Sequence, residues 1–466
     1  MSVQFKFIFI ALVYFLYSLT FSGYLLLTSL GLAFSLYIFL SFLSSLGKKI
    51  ALKELIILIA AAQWIVGAKI GYNIGKTHYR YYMYVEEEVY MNFVVPGLFL
   101  FYLGIKIIAN QLELNRLPIF VETNRELVKK CAKTILVIGL SSLLISRFIR
   151  IPQLAFILYL LNILPYIAAL YYMCLYPRQR INIFLVSILF ALFLSLQSGL
   201  FHDMIILAAF LSFFLFNQTT SLLKKLTLIS LGFFSLYTIQ LVKAEYRAII
   251  WESKGSTGVV NAFYTVLEKE FFPEPSMQFN NQAYLEEEEE KTNVTTRLNQ
   301  GWIISKVMEN VPKNQAYLGG ETIREALESS FLPRFLFPNK KGAEQALVNF
   351  TKVTGLGLNK GTSMGLSVIA EFYANYGVSG AWLAMFLYGL SLALIIKFII
   401  VVLGANSPLM LLWFLLFFFQ VIKAETELIK IINHLLKSIL FFIALRFLLR
   451  LFNLEILPHN KALMHD

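Results

Sequence analysis

Long uninterrupted blocks of apolar residues constrain this chain more than any other feature of its sequence. They occupy residues 5–46, 91–109, 154–176, 222–242, 375–403 and 431–452. A helix needs about 20 apolar residues to cross the roughly 30 Å hydrocarbon core of a bilayer. Apolar residues make up 58% of the chain, above the roughly 45–50% that is typical of a soluble domain. We therefore predict an integral membrane protein that crosses a bilayer many times.

The length of the blocks predicts helices rather than strands. A membrane β-barrel would show alternating segments of about 10 residues, and the sequence has no such pattern. The predicted fold class is all-α and polytopic, with about 12 transmembrane helices and one long exported loop. The predicted spans are residues 3–20, 24–46, 54–72, 91–109, 134–150, 154–176, 181–199, 203–217, 222–242, 375–403, 408–423 and 431–452.

Basic residues in the short loops predict the orientation of these spans. Lys48 and Lys49 follow the second span, Arg178 and Arg180 precede the seventh, and a basic segment lies within residues 106–133. Loops rich in lysine and arginine stay on the cytoplasmic side. Both termini are therefore predicted to be cytoplasmic.

One connection, residues 243–365, is far longer than ordinary loops, and long ordered loops usually carry function. It contains 14 lysines and arginines against 15 glutamates, so the net charge of +12 resides in the membrane-embedded remainder and indicates no nucleic acid partner. The predicted organisation has four parts. They are residues 1–242 with spans one to nine, 243–365 as the exported loop, 366–452 with a re-entrant or exported helix and the last three spans, and 453–466 as a cytoplasmic tail.

The composition of the long loop excludes several kinds of site. It contains neither histidine nor aspartate, so a His/Asp metal cluster cannot form there, and we predict no metal and no cofactor. Gly71, Gly75 and Lys76 imitate a nucleotide-binding P-loop, but the spacing is one residue short. His202 and Asp203 form a local acid/base pair on a short outer turn, for which a structural role is the simpler interpretation.

The loop supplies many cations and a glycine-rich turn that can bind an anion. The candidates are Arg247, Arg297, Arg324, Arg334, Lys340, Lys341, Lys360, Thr362 and Ser363. A guanidinium pairs bidentately with phosphate oxygens, and a glycine-rich turn before a helix presents N–H groups to an anion. The alternatives are anchoring at lipid headgroups for the cations and a plain helix cap for Thr362 or Ser363.

Two motifs and their order along the chain resemble those of bacterial O-antigen (Wzy-type) polymerases. The first is Pro-Arg-Phe-Leu-Phe-Pro-Asn-Lys at 333–340, and the second is Gly-Thr-Ser-Met-Gly-Leu-Ser-Val-Ile-Ala-Glu-Phe-Tyr-Ala-Asn-Tyr-Gly at 361–377. The first lies in the C-terminal part of the long exported loop, the second begins at the end of that loop, and both precede a glycine-containing span. The motif resemblance covers about residues 240–395.

The resemblance implies a GT-C-like, inverting, metal-independent glycosyltransferase in a bacterial inner membrane. It implies undecaprenyl-pyrophosphate-linked glycans as substrates, with membrane lipids, a chain-length regulator and a flippase as further partners. Displacing a pyrophosphate from an anomeric carbon needs cations on the leaving group and a carboxylate to deprotonate the attacking hydroxyl. The cations named above then bind pyrophosphate, with Glu371 as the leading candidate base and Glu245 as the second. The alternative for Glu371 is a carboxylate that merely complements a helix N-terminus.

Two other functions remain open from the sequence. An O-antigen ligase shares the donor, although ligases of that kind often use an exported-loop histidine, which this loop lacks. A flippase or other transporter for lipid-linked oligosaccharides would show repeat symmetry and charged, broken helices at the midplane, whereas these spans are nearly free of internal charge.

Overall fold

The computed structural model describes residues 3–76, 80–110, 112–148, 154–198, 201–252, 258–271, 298–331, 345–357, 364–405 and 407–457. Within these ranges the secondary structure is helical, with one isolated β-bridge between Lys49 and Glu113. Backbone groups in a bilayer must be satisfied within their own segment, and helices achieve this. The all-helical prediction is confirmed.

The α-helices are numbered in chain order. They are α1 Val3–Thr20, α2 Leu26–Ser45, α3 Leu52–Ala61, α4 Gly67–Ile74, α5 Glu87–Ile107, α6 Arg116–Thr123, α7 Arg125–Phe148, α8 Ala155–Leu161, α9 Leu164–Leu175, α10 Arg180–Ser198, α11 His202–Leu215, α12 Leu222–Glu252, α13 Val259–Phe271, α14 Gly301–Asn310, α15 Glu321–Phe331, α16 Gln345–Thr354, α17 Val368–Phe398, α18 Phe414–Phe418 and α19 Leu428–Leu451. Two π-helical turns, Ala62–Val66 and Ile399–Leu403, and two 3₁₀ turns, Pro177–Gln179 and Pro408–Trp413, extend neighbouring helices.

Eight helical segments in the described part of the chain are long and apolar enough to cross a membrane. They are Val3–Thr20, Leu26–Ser45, Leu52–Ile74, Glu87–Ile107, Ala155–Leu175, Pro177–Gln197, Val368–Leu403 and Leu428–Leu451. The other four predicted spans coincide with different kinds of helix. Two of them are the short apolar helices at 203–215 and 408–418. The other two are α7, which begins with several cations, and the 31-residue α12. A helical, many-span membrane protein is thus supported by length and composition, whereas the number twelve is not confirmed.

One end of the helix bundle gathers the basic loops, and we call it the basic end. Lys225 Nζ, at the start of α12, donates a hydrogen bond to Leu46 O at 2.6 Å, just beyond α2. Leu114 N donates to Lys48 O at 2.9 Å, and thereby joins the loop before α6 to the loop before α3. Arg180 Nη1 donates to Asn217 Oδ1 at 2.6 Å, in the loop before α12. The basic residues of these loops therefore lie together at this end.

The opposite end of the bundle, which we call the loop end, carries helices of the long predicted loop. Gln300 Nε2, just before α14, donates a hydrogen bond to Gly365 O at 2.7 Å, and Trp64 Nε1 donates to Ala424 O at 3.3 Å. Successive membrane helices run in opposite directions, so every second connection along the chain lies at the same end of the bundle. The helices α14, α15 and α16 thus pack onto the same end as the N-terminal turn of α17.

In the described part of the chain, helices α5 and α17 share the most extensive contact of any helix pair, and glycines lie on both sides of it. A Cβ on Gly104 would lie 2.2 Å from Phe386 O, and one on Gly389 would lie 2.5 Å from Phe101 O. Small residues let membrane helices approach at backbone distance. At Gly377 a φ of +69° interrupts α17, so its first turns, which carry Glu371, are set off from the long apolar part.

Candidate functional site

Glu371 lies in the first turn of α17 at the loop end and is buried, with 3% of its surface exposed. Its Oε2 accepts a hydrogen bond from Leu428 N at 2.8 Å, at the start of α19. The Thr322 hydroxyl of α15 donates to the same carboxylate, while Asn375 Nδ2 donates to Thr322 Oγ1 at 2.8 Å. The carboxylate therefore joins three helices that meet at the loop end.

Two further buried carboxylates lie next to Glu371. Glu325, 5% exposed, follows Thr322 by one helical turn on α15 and accepts a hydrogen bond from Asn349 Nδ2 at 3.0 Å. Glu427, 3% exposed, immediately precedes Leu428. We call Glu325, Glu371 and Glu427 the carboxylate cluster.

The charges of two members of the cluster, Glu371 and Glu427, are only partly compensated by the described residues around them. Lys430 Nζ lies 2.6 Å from Glu427 Oε1, yet within the described residues neither Glu427 oxygen accepts a hydrogen bond of good geometry. In the same part of the chain Glu371 receives only neutral donors, a backbone N–H and a hydroxyl. Burying a carboxylate costs free energy unless a cation or several hydrogen bonds offset it. Glu371 and Glu427 thus retain acceptor capacity that the described residues do not use.

An extended segment, residues 364–367, forms one wall of the cluster. A Cβ on Gly365 would lie 2.0 Å from Glu425 O and 2.8 Å from Glu427 Oε2, so the segment fits only with glycine there. Ser367 N donates to Glu425 O at 3.3 Å. Ser367 itself has φ +63° and a buried hydroxyl without a hydrogen-bond partner among the described residues. Strained backbone and an unused polar group next to buried acids are features that cluster at functional sites.

The structure places the second candidate base elsewhere. Glu245 lies on α12 and pairs with Lys269 of α13 at 2.8 Å, with 37% of its side chain exposed. The helix pair packs with α10 around a separate small apolar core that includes Tyr246 and Val266. Glu245 is therefore held by a surface ion pair, away from the contacts that build the carboxylate cluster.

The predicted cations are described only in part. Arg324 lies on α15 next to Glu325, and its side chain is 71% exposed with Glu328 Oε1 at 3.9 Å. Arg247 lies on α12, but its side chain is outside the described part of the chain. The remaining candidates also lie outside the described residues: Arg297, Arg334, Lys340, Lys341, Lys360, Thr362 and Ser363. Of the predicted ligands, Arg324 is thus the one whose side chain the structure describes, and it lies on the exposed side of α15.

Sequence reasoning missed Glu325, Glu427 and Ser367. A signal existed for Glu427, because Glu425 and Glu427 stand in the short connection between two apolar blocks that the predicted orientation places on the exported side. Glu325 looked like any solvated glutamate of a polar helix, and only packing shows it to be buried. Within the described ranges no group of three histidine, cysteine or acidic side chains is arranged to hold a metal ion.

Carboxylates with unused lone pairs accept protons from hydroxyl groups, so the arrangement suits general base chemistry on an alcohol. The cluster and its walls lie within the part of the chain that one family model matches. That model, described as a domain of unknown function (DUF8712), matches residues 101–457. No curated protein and no solved structure matches the chain.

Proposed function

The chain belongs to the DUF8712 family of domains of unknown function, and we propose that it polymerises lipid-linked oligosaccharide repeat units into a surface polysaccharide. The donor is a growing glycan on undecaprenyl pyrophosphate, and the acceptor is a fresh lipid-linked repeat unit. The transfer takes place at the loop end, on the periplasmic face of a bacterial inner membrane.

The observation that carries this proposal is the position of Glu371. It belongs to the segment at 361–377 on which the resemblance to Wzy-type polymerases rests. It is buried beside Glu325 and Glu427, where helices of the long loop meet the ends of membrane helices. A lipid-linked substrate has its reacting sugar at this level, because its prenyl chain lies in the bilayer.

The proposed reaction is an inverting displacement. The acceptor hydroxyl oxygen attacks the anomeric carbon of the donor glycan, and the bond from that carbon to the pyrophosphate oxygen breaks. The hydroxyl proton passes to a carboxylate of the cluster, with Glu371 as the first candidate and Glu427 as the second. Cations of the loop, Arg324 among them, neutralise the charge that develops on the departing undecaprenyl pyrophosphate.

The proposed architecture is GT-C-like with twelve spans and both termini in the cytoplasm. Its support is the separation of charge between the bundle ends, because lysines and arginines of short loops stay on the cytoplasmic side. The basic end is then cytoplasmic and the loop end periplasmic. A chain-length regulator and a flippase are the partners that such a polymerase requires.

Deletion of the gene followed by analysis of the surface glycan tests this function. Loss of a polymerase leaves single repeat units attached to the carrier or to the surface anchor. Full-length polymer that accumulates on the lipid carrier would instead identify a ligase. An unchanged glycan of wild-type length would contradict both transferase functions.

A transporter of lipid-linked oligosaccharides is the second candidate, and one observation favours it. Asp203, at the start of α11, pairs with Lys423 Nζ at 2.9 Å, and Lys423 is only 12% exposed. Asp203 is 47% exposed, so the pair lies at the surface of the loop end, where charged groups could line the mouth of a substrate pathway. Deletion of a transporter would leave repeat units on the cytoplasmic leaflet, whereas deletion of a polymerase would leave them accessible from the periplasm.

A further inference from the structure

The side-chain amides around the carboxylate cluster already donate hydrogen bonds within the protein. Gln300 Nε2 donates to Gly365 O at 2.7 Å. Asn375 Nδ2 donates both to Thr322 Oγ1 and to Glu371 O, in each case at 2.8 Å. A side-chain amide has two N–H hydrogens, so Asn375 has none left for a ligand. In the described part of the chain these amides therefore hold the fold together.

Hydrogen-bond acceptors, by contrast, are left over at the same place. Glu427 is 3% exposed, and neither of its oxygens accepts a hydrogen bond of good geometry from a described residue. The hydroxyl of Ser367 is buried and also lacks a partner among the described residues. The segment of Ser367 borders Glu427, since a Cβ on Gly365 would lie 2.8 Å from Glu427 Oε2. Buried polar groups without partners are costly, so a ligand that donates hydrogen bonds here would recover that cost.

The charges of the carboxylate cluster disfavour an anionic ligand. Lys430 Nζ lies 2.6 Å from Glu427 Oε1, and the described donors to Glu371 are neutral. The N-termini of α17 and α19 are each equivalent to only about half an elementary charge. In the described part of the chain the three carboxylates outweigh Lys430 and these two N-termini together. A ligand carboxylate placed here would meet a net negative charge, and like charges brought together at a binding site strongly disfavour the complex.

Of the two sugars that the proposed reaction brings together, the acceptor is the one that contacts these carboxylates. A general base must lie about 2.6–3.2 Å from the oxygen whose proton it takes, so the acceptor hydroxyl reaches Glu371. The donor instead presents its anomeric carbon and its pyrophosphate, which needs cations. The charge and the unused acceptors of the cluster therefore act on the terminal sugar of the acceptor.

We propose that the carboxylate cluster restricts the acceptor to a terminal sugar without a carboxylate, namely a neutral sugar or an amino sugar, and rejects uronic acids. The attacking hydroxyl donates to Glu371, and a neighbouring hydroxyl or ammonium donates to Glu427. A sugar hydroxyl can donate to a carboxylate, whereas an ionised carboxylate can only accept. This inference rests on the proposed polymerase function and adds the class of its acceptor.

The test compares one acceptor with and without a carboxylate. Single repeat units from a strain that lacks the gene are released from their carrier and coupled to a fluorescent alkyl chain, so that they can accept but not donate. Oxidation of the primary hydroxyl of the terminal sugar, verified by mass spectrometry, gives the uronic acid form. Membrane vesicles with the full wild-type chain receive either acceptor together with unmodified lipid-linked units as donor. We expect the oxidised acceptor to be extended at least about 100-fold more slowly, and reduction of its carboxylate back to the alcohol should restore the rate.

Glu427→Gln provides a second measurement, the ratio of the rates with the unmodified and the oxidised acceptor. That ratio should fall by about 10-fold or more, because one of the repelling charges is removed. Glu122→Gln, which alters an exposed carboxylate at the basic end, should keep the wild-type ratio. Equal rates with both acceptors in the wild-type chain, or an unchanged ratio in Glu427→Gln, would overturn the inference and leave the polymerase function standing. If the wild-type chain does not join even unmodified lipid-linked units, the polymerase function fails and the inference fails with it.

Discussion

Glu54 at the basic end and Glu371 at the loop end are both buried carboxylates, but different groups hold them. At the basic end Glu54 is 2% exposed and pairs with two lysines, Lys49 at 2.8 Å and Lys106 in a still shorter contact. At the loop end Glu371 is equally buried but receives hydrogen bonds from a backbone N–H and a hydroxyl. Removing one partner of a buried ion pair is strongly destabilising, because it leaves an uncompensated buried charge. A buried carboxylate held by neutral donors carries a desolvation cost that no cation among the described residues offsets. The contrast supports the proposed division, in which the basic end is structural and the loop end carries the chemistry.

The largest expected effect is the loss of polymerisation on substitution of Glu371. Its absence would contradict the comparison of the two ends. Glu371→Gln keeps an acceptor for Leu428 N–H and Thr322 but removes the proton acceptor. Polymerisation in membrane vesicles should fall by about 10²- to 10⁴-fold, the usual contribution of a general base, while the amount of folded protein is unchanged. Glu122→Gln, which alters an exposed carboxylate at the basic end, serves as the control. Full activity of Glu371→Gln would exclude it as the base, and Glu427→Gln would then be the variant to examine.

The next effect concerns the wall of the carboxylate cluster. Gly365→Ala places a methyl group against Glu425 O and Glu427 Oε2, so the wall must shift. A displacement of about 1 Å at a catalytic group can cost about 100-fold in rate, and we expect a loss of that order in chain elongation. Gly357→Ala is matched, because a Cβ there meets nothing within 4 Å. Equal elongation rates for the two variants would show that the wall does not position the cluster.

A smaller effect, on stability alone, is expected at the basic end. Glu54→Gln leaves Lys49 and Lys106 without their anion. The lysines are about one-third exposed, so we expect a loss of about 2 kcal/mol in the free energy of unfolding, between the values for surface and buried pairs. Thermal unfolding in detergent measures it. Activity per folded molecule should stay at the wild-type level, and a selective loss of activity would contradict the division between the two ends.

The smallest structural effect is expected for Arg324. Its side chain is 71% exposed and its nearest described acid is 3.9 Å away, so Arg324→Ala should change the free energy of unfolding by less than about 0.5 kcal/mol. Because Arg324 is a proposed ligand of the pyrophosphate, the same substitution should still lower the affinity for the donor by about 10-fold. Lys352→Ala removes another partly exposed loop cation, paired with Glu321 at 2.7 Å, and is the control. Identical donor KM values for the two variants would remove Arg324 from the site.

The helices were predictable because their signal is local. A block of about 20 apolar residues identifies a span wherever it occurs, and the observed α1, α2, α5 and α19 begin and end within about four residues of their predicted bounds. The sequence was less informative for α7 and α12, because charged residues near both ends of each helix make part of it polar. The position of Glu371 before a long apolar helix was likewise visible in the sequence.

Sequence by itself determined that this chain is helical, that it belongs in a membrane, and that its basic loops share one side. Only the tertiary structure decided which carboxylates come together. Glu325, Glu371 and Glu427 are separated by 46 and 56 positions, and packing of α15, α17 and α19 is what brings them together. Hydropathy is a property of neighbouring residues and can be read along the chain. Burial of a charged side chain depends on distant segments, and no local pattern records it.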